Sequence, residues 1–250
     1  MQQIKSCFLV SLFTLCCSFS LFAENKPGIV YAPNNQKVVI KAEADANSKD
    51  LAILADGHFF YYKPTQDISW AKIQVYGREN FTEGYIPKNN MLLIDSLTDI
   101  QQRKIISEVL TTHKLLAEEL QKSVNMTLEE NMAARKKIEE HSWAKYNYAL
   151  DMIPAYIEST ADNDLLQLLI ETIYTNKGSA NELPSTTIAK CYVAQPDLTI
   201  SLLNKITNKE KQTYFINQME WGISNYYHYQ KDDLDNQRDS LLEKLKRSVK

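Results

Sequence analysis

Between residues 37 and 95 apolar positions come in short runs broken by turn residues. The clearest is Trp70–Tyr76, where Trp70, Lys72, Gln74 and Tyr76 alternate with Ala71, Ile73 and Val75, the period of two of a half-buried strand. Val38-Val39-Ile40, Phe59-Phe60-Tyr61-Tyr62 and Gly84-Tyr85-Ile86 predict further strands. Gly57 precedes one run, and Gly77 and Gly84 bracket a connection, where glycine supplies the backbone angles of turns. After Asp95 the texture changes. No glycine occurs between Gly84 and Gly178, and only Pro87 and Pro154 interrupt that stretch, so long helices are expected.

Ser96-Leu97-Thr98-Asp99 reads as a capped helix start. Ile106, Val109, His113, Leu116, Leu120 and Val124 then line one helical face. Thr127-Leu128-Glu129-Glu130 is a capping box that opens a second helix, and Pro154 is expected to end or kink it. Asp162 or Asn163 caps a third, closing at Asn176-Lys177-Gly178. Ser185 begins a short helix to Val193, Pro196-Asp197 another, and Thr207 to Glu210 forms a further capping box. Asp232 to Val249 makes a terminal amphipathic helix.

The order of the strand segments, with Gly57 before the Phe59–Tyr62 run, Trp70 opening the next and Gly84-Tyr85-Ile86 after it, resembles the bacterial SH3 (SH3b) domain. Where that family has an Arg-x-Gly-Pro-like turn, this chain carries Lys41-Ala42-Glu43-Ala44-Asp45. The resemblance implies a small SH3-like β-barrel over residues 33–97 that recognises a peptide, cell-wall fragment or protein. The Ala-Leu-Tyr-Asp-Tyr-like run of eukaryotic SH3 domains is missing, which disfavours proline-rich ligands. The expected fold is therefore a two-domain α+β protein, the barrel followed by an all-α domain over 98–250.

Residues 1–23 carry one cation, Lys5, an apolar run from Cys7 to Phe22, and the small Ala23. That is the layout of a secretory signal peptide, and the run is short for a membrane span. A lipid-bearing Cys16 or Cys17 is disfavoured because bulky Leu15 and Cys16 precede them. Cleavage after Ala23 places the protein in the periplasm or outside the cell with no stable membrane span. It also leaves Cys191 as the one cysteine, so no internal disulfide supports the fold. The net charge of −3 excludes a strongly basic nucleic-acid surface.

Candidate chemistry is sparse. Cell-wall peptidases that carry SH3b modules use Cys and His, but Cys191 lies in an apolar helix and is followed by one histidine, His228. A thiolate nucleophile needs a base within reach, and Cys191 suits a small buried hydrophobe better. Histidines 58, 113, 141 and 228 show no metal-ligand spacing, and His113 falls on its helix's apolar stripe as an interior hydrogen-bonding residue. Glu118-Glu119, Glu129-Glu130 and Glu139-Glu140 stand beside cations as solvated faces. No catalytic residue, metal or cofactor is assigned. The aromatic run Phe59–Tyr62 must place two rings on each face of its strand, one pair inside the sheet and one free for a ligand or for the helices. Tyr62, Trp70 and Tyr85 are the candidate ligand-binding rings. The sequence favours an exported binding or scaffold protein of the bacterial envelope. A cell-wall hydrolase with an unrecognised site, or an inhibitor or immunity-like protein, are the alternatives.

Overall fold

The computed structural model describes residues 26–77, 81–178, 181–228 and 235–249. Residues 1–23, expected to be a signal peptide, lie outside them, as does the expected start of the terminal helix at Asp232. Seven strands come first: β1 (Lys26–Val30), β2 (Val38–Lys41), β3 (Asp50–Leu54), β4 (Phe59–Lys63), β5 (Trp70–Tyr76), β6 (Phe81–Pro87) and β7 (Met91–Leu93). They form one antiparallel sheet in the order β3-β2-β6-β5-β4-β1-β7. The sheet starts seven residues ahead of the expected limit at 33. Polar Lys26 and Pro27 hid β1 from the pattern, yet it is paired on both sides, with β4 and with β7.

One face of the sheet makes its own core. Val30, Ile40, Leu54, Phe60, Ile73 and Ile86 form a single buried cluster drawn from six strands. The sheet therefore curls until residues of β3 and β1 meet. Gly84 permits that curl. A Cβ there would stand 2.5 Å from both the Ile40 Cγ2 and the Lys41 carbonyl oxygen. The other face carries Phe59, Tyr61 and Tyr76, whose rings join the core of the helices instead.

The helical part holds α1 (Asp99–Ser123), α2 (Leu128–His141), α3 (Asn147–Thr160), α4 (Asn163–Thr175), α5 (Leu183–Ala194), α6 (Pro196–Asn204), α7 (Lys209–His228) and α8 (Asp235–Ser248). Antiparallel sheet followed by helices is the α+β layout expected. The capped start expected at Ser96–Asp99 is made by Thr98, which closes α1 reciprocally with Gln101, and the capping box expected at Thr127 is present, with Glu130 as its partner. Asp162 caps α4, its Oδ1 accepting from Leu165 N–H at 2.9 Å. The last box differs by one residue: Asn208, not Thr207, caps α7 by accepting from Lys211 N–H at 2.9 Å. Glycine also sets the α5–α7 spacing, since a Cβ on Gly222 would meet the Ser185 carbonyl oxygen at 2.5 Å.

Two irregularities lie on the long segment from α2 to α3. Ser142–Tyr146 is a π turn, in which Asn147 N–H reaches back five residues to the Ser142 carbonyl. Pro154 lies inside α3, and the helix continues past it to Thr160, so of the end or kink expected there the end does not occur. Pro154 lacks the N–H that the Leu150 carbonyl would otherwise receive. The Thr187 hydroxyl of α5 stands 3.1 Å from that carbonyl and 2.9 Å from the Leu183 carbonyl. A neighbouring helix thus brings to that carbonyl a hydroxyl whose single proton is shared with the Leu183 carbonyl.

Removing that hydroxyl leaves a buried carbonyl without its partner. Thr187→Val should cost about 1–3 kcal/mol, whereas Thr187→Ser should stay close to wild type. Urea unfolding of the two variants separates a hydrogen-bonding role from simple packing.

Candidate functional site

The three candidate rings do not share a face. On β4 Phe60 and Tyr62 turn inward, and Tyr62 packs half-buried against the sheet's own core. Trp70 and Tyr85 turn outward. Register places Trp70 opposite Pro87 and Lys72 opposite Tyr85, so the two rings are diagonal neighbours on adjacent strands, a spacing aromatic side chains can bridge. Both are half-buried. Lys41 lies opposite Tyr85 on its other side, and its Nζ is 2.5 Å from Asp50. Glu83 takes Lys72 at 3.4 Å and Lys63 at 4.0 Å. The solvent-facing part of the outer face thus joins two rings to three lysines and two carboxylates.

The remainder of the outer face is covered by the helices. Tyr148 stacks with Phe59 at 5.9 Å between centroids and tilts against Tyr61 at 4.8 Å and Tyr76 at 4.9 Å. Polar atoms fix the joint as well. Tyr76 N–H donates to the Tyr148 hydroxyl at 2.8 Å, and the Tyr61 hydroxyl donates to the Asp151 carboxylate. Lys26 pairs with Asp95 at 2.6 Å at the edge.

The π turn is the second site. His113, fully buried on α1, lies flat on the Tyr146 ring, 3.6 Å between centroids and 4° between planes. Its Nδ1 is 3.3 Å from Nδ1 of His141, and its Nε2 is 3.1 Å from Asn176 Nδ2. Burial lowers the pKa of His113 to about 3. Burial, with Lys145 adding a positive field, lowers His58 and His141 to about 4. All three are neutral at pH 7. Among the described residues, four buried side-chain atoms have no hydrogen-bond partner: Nε2 of His58 and of His141, Nε1 of Trp143 and the Tyr146 hydroxyl. Three of the four belong to residues 141–146, and the fourth faces the same Lys145. π turns interrupt the regular ladder and gather at working sites, and orphaned buried groups require an explanation.

Cavities surround this turn. A groove of about 1230 Å3 runs beside α1, α2 and the α4–α5 connection, with Trp143, Asn147 and Asn176 in its wall. A second cavity of about 390 Å3 lies between the sheet and α1 and includes His141 and Lys145. A third, about 70 Å3, adjoins Tyr146.

The linear spacing of histidines gave no hint of this cluster, because His113 and His141 meet through the packing of α1 on α2, and His58 is linked to it only through the charge of Lys145. The apolar stripe did place His113 inside. The side chain of His228 lies outside the described residues. Among those residues no group of three His, Cys, Asp or Glu converges as a metal site. Cys191 is fully buried in the helical core, and burial pushes its thiol pKa up, opposite to what a thiolate nucleophile needs.

The neutral histidines predict an acid-sensitive fold. Their folded pKa values lie below the unfolded value near 6.5, so the unfolded chain binds protons first. Stability from this source is complete above pH 6.5 and is lost as pH falls toward 4, at about 1.4 kcal/mol per pH unit for each histidine. Denaturant midpoints between pH 7.5 and 4.5 should show that slope, and His58→Gln should reduce it. Compared with models of known protein families the chain matches none, and no curated protein matches it.

Proposed function

We propose that this protein is an exported, non-catalytic binding protein of the bacterial envelope, in which the N-terminal sheet serves as an SH3b-like recognition module for a peptide, a cell-wall fragment or a protein. The observation that carries this reading is the pairing of Trp70 and Tyr85 on the solvent-facing part of the outer sheet face, beside Lys41 and Lys72. Rings that are half-exposed and flanked by charges suit a partner that has both apolar and ionised groups. Lysine side chains that already share Asp50 and Glu83 can exchange those partners for a ligand's carboxylates without burying a new charge. Export rests on the Lys5-to-Ala23 pattern.

Catalysis is the weaker reading for a specific reason. The described groups best placed for proton transfer or nucleophilic attack are all shifted the wrong way by burial: His58, His113 and His141 become weak bases, with pKa values of about 3 to 4, and the Cys191 thiol keeps its proton. No nucleophile–base pair is formed among them.

Alanine substitution tests the module. Trp70→Ala and Tyr85→Ala should weaken binding to purified peptidoglycan or to the native partner by roughly 30-fold, as loss of an aromatic anchor does, while the melting temperature holds. Tyr62→Ala should lower the melting temperature first, because its ring packs on the sheet core. Equal melting losses for all three, with no binding-specific effect at Trp70 or Tyr85, would make the sheet a structural cap.

A further inference from the structure

Helix α2 buries two residues, Ala134 and Ile138, and its other ties to the chain lie on the same side. Asn131 Nδ2 donates to the Ser123 hydroxyl at 3.0 Å, and Lys137 pairs with Glu119 at 2.6 Å. Glu130 is taken up by the cap, accepting from Thr127 N–H at 2.9 Å, and Arg135 Nε donates to Asn131 at 2.8 Å. The side turned away from α1 carries Glu129, Met132, Ala133 and Lys136, all exposed. Their spacing of i, i+3, i+4 and i+7 makes one continuous stripe along the helix.

Charge and shape together say what fits this stripe. Glu129 and Lys136 lie two turns apart, about 10 Å along the axis, too far to pair with each other. Two such stripes laid antiparallel bring Glu129 of each against Lys136 of the other, whereas parallel stripes set glutamate on glutamate. The stripe is thus its own electrostatic complement. Met132 projects from its middle, 62% exposed. Its neighbour Ala133 lines a groove of about 400 Å3 between α1 and α2, with Leu115 and Met126 among the other apolar residues there. Antiparallel stripes centred between 132 and 133 set Met132 of each over Ala133 of the other, whose small side chain leaves the groove open. An unbranched methionine suits such a gap. Val124 and Leu128 add exposed apolar surface at the same end of the hairpin.

We propose that α2 is a self-association surface, on which a second copy of this chain docks antiparallel about a two-fold axis between Met132 and Ala133. Met132 of each copy enters the groove beside Ala133 of the other, and Glu129 meets Lys136 at both ends. One patch serves both copies, as two-fold closure requires. Lys136 gives up little to join, since its contact with Glu140 on its own helix is 3.7 Å and exposed. The surface shares no residue with the Trp70–Tyr85 patch and stands or falls apart from the ligand-binding reading.

Sedimentation velocity of the purified chain across a range of concentrations tests this, with circular dichroism to check that each variant is folded. Wild type should show a reversible monomer–dimer equilibrium that weakens as salt is added. Met132→Glu, an exposed change, should leave the chain monomeric. Glu129→Lys and Lys136→Glu each set like charges together at both ends, and each should weaken self-association roughly tenfold or more. Mixing these two variants restores opposite charges at both ends, so the mixture should dimerise as wild type does. Only contact between copies lets one variant repair the other. A wild-type chain that stays monomeric up to about 1 mM, where even weak pairs form, overturns the proposal. So does a dimer that Met132→Glu leaves intact, or a mixture that associates no better than its parts.

Discussion

A strand that reads Phe59-Phe60-Tyr61-Tyr62 cannot leave either of its faces in water, because each face carries two rings and each ring buries well over a hundred square ångströms in a typical core. This constraint on β4 organises the molecule. One face closes by curling the sheet over Phe60, and the other closes by receiving α3 and the π turn over Phe59 and Tyr61. The two parts are therefore joined by an aromatic layer continuous with the helical core. Tyr148 is the centre of that layer, with Phe59, Tyr61 and Tyr76 all packed against it.

The same joint accounts for the polar features. Sheet and helices differ in curvature, so their contact is tight at Tyr148 and leaves a cavity near Gly57 and α1. The π turn at Ser142–Tyr146 widens the helix where it meets this change of surface, and it brings His141 and Lys145 to one side and Trp143 to the other. His113 is fully buried at this joint, while His58, His141 and Lys145 are half-buried.

Much of the architecture was legible because it depends on local chemistry. Period-two alternation located β5, and the capped start at Ser96–Asp99 and the capping box at Thr127 located the starts of α1 and α2. The change from glycine-bearing turns to a glycine-free stretch marked the passage from sheet to helices. What remained hidden depends on residues far apart in the chain. Pro154 was expected to end or kink its helix because nothing near it in sequence reveals that Thr187 would bring a donor to the open carbonyl. Tyr62 was grouped with Trp70 and Tyr85 by residue type, whereas register alone determines that it faces the other way. The His113–His141 contact left no linear trace, since it is made by the packing of α1 on α2.

Strand β1 has a further consequence for how the molecule is made. It lies between β4 and β7, so the first segment after residue 25 must wait for partners at residues 59–62 and 91–93. Helical hairpins such as α1–α2 can form as soon as their own residues are available, whereas pairing this distant in sequence is slow. A chain emerging from its N-terminus has β1 exposed and unpaired until β4 follows at residues 59–62, and paired on one side only until β7 follows at 91–93. During that interval Gly28-Ile29-Val30 offers free backbone donors and acceptors beside apolar side chains, the combination that invites pairing with other chains. The polar Lys26 and Pro27 at the start of the strand limit that hazard, because proline removes a donor and lysine repels a second copy of the same edge.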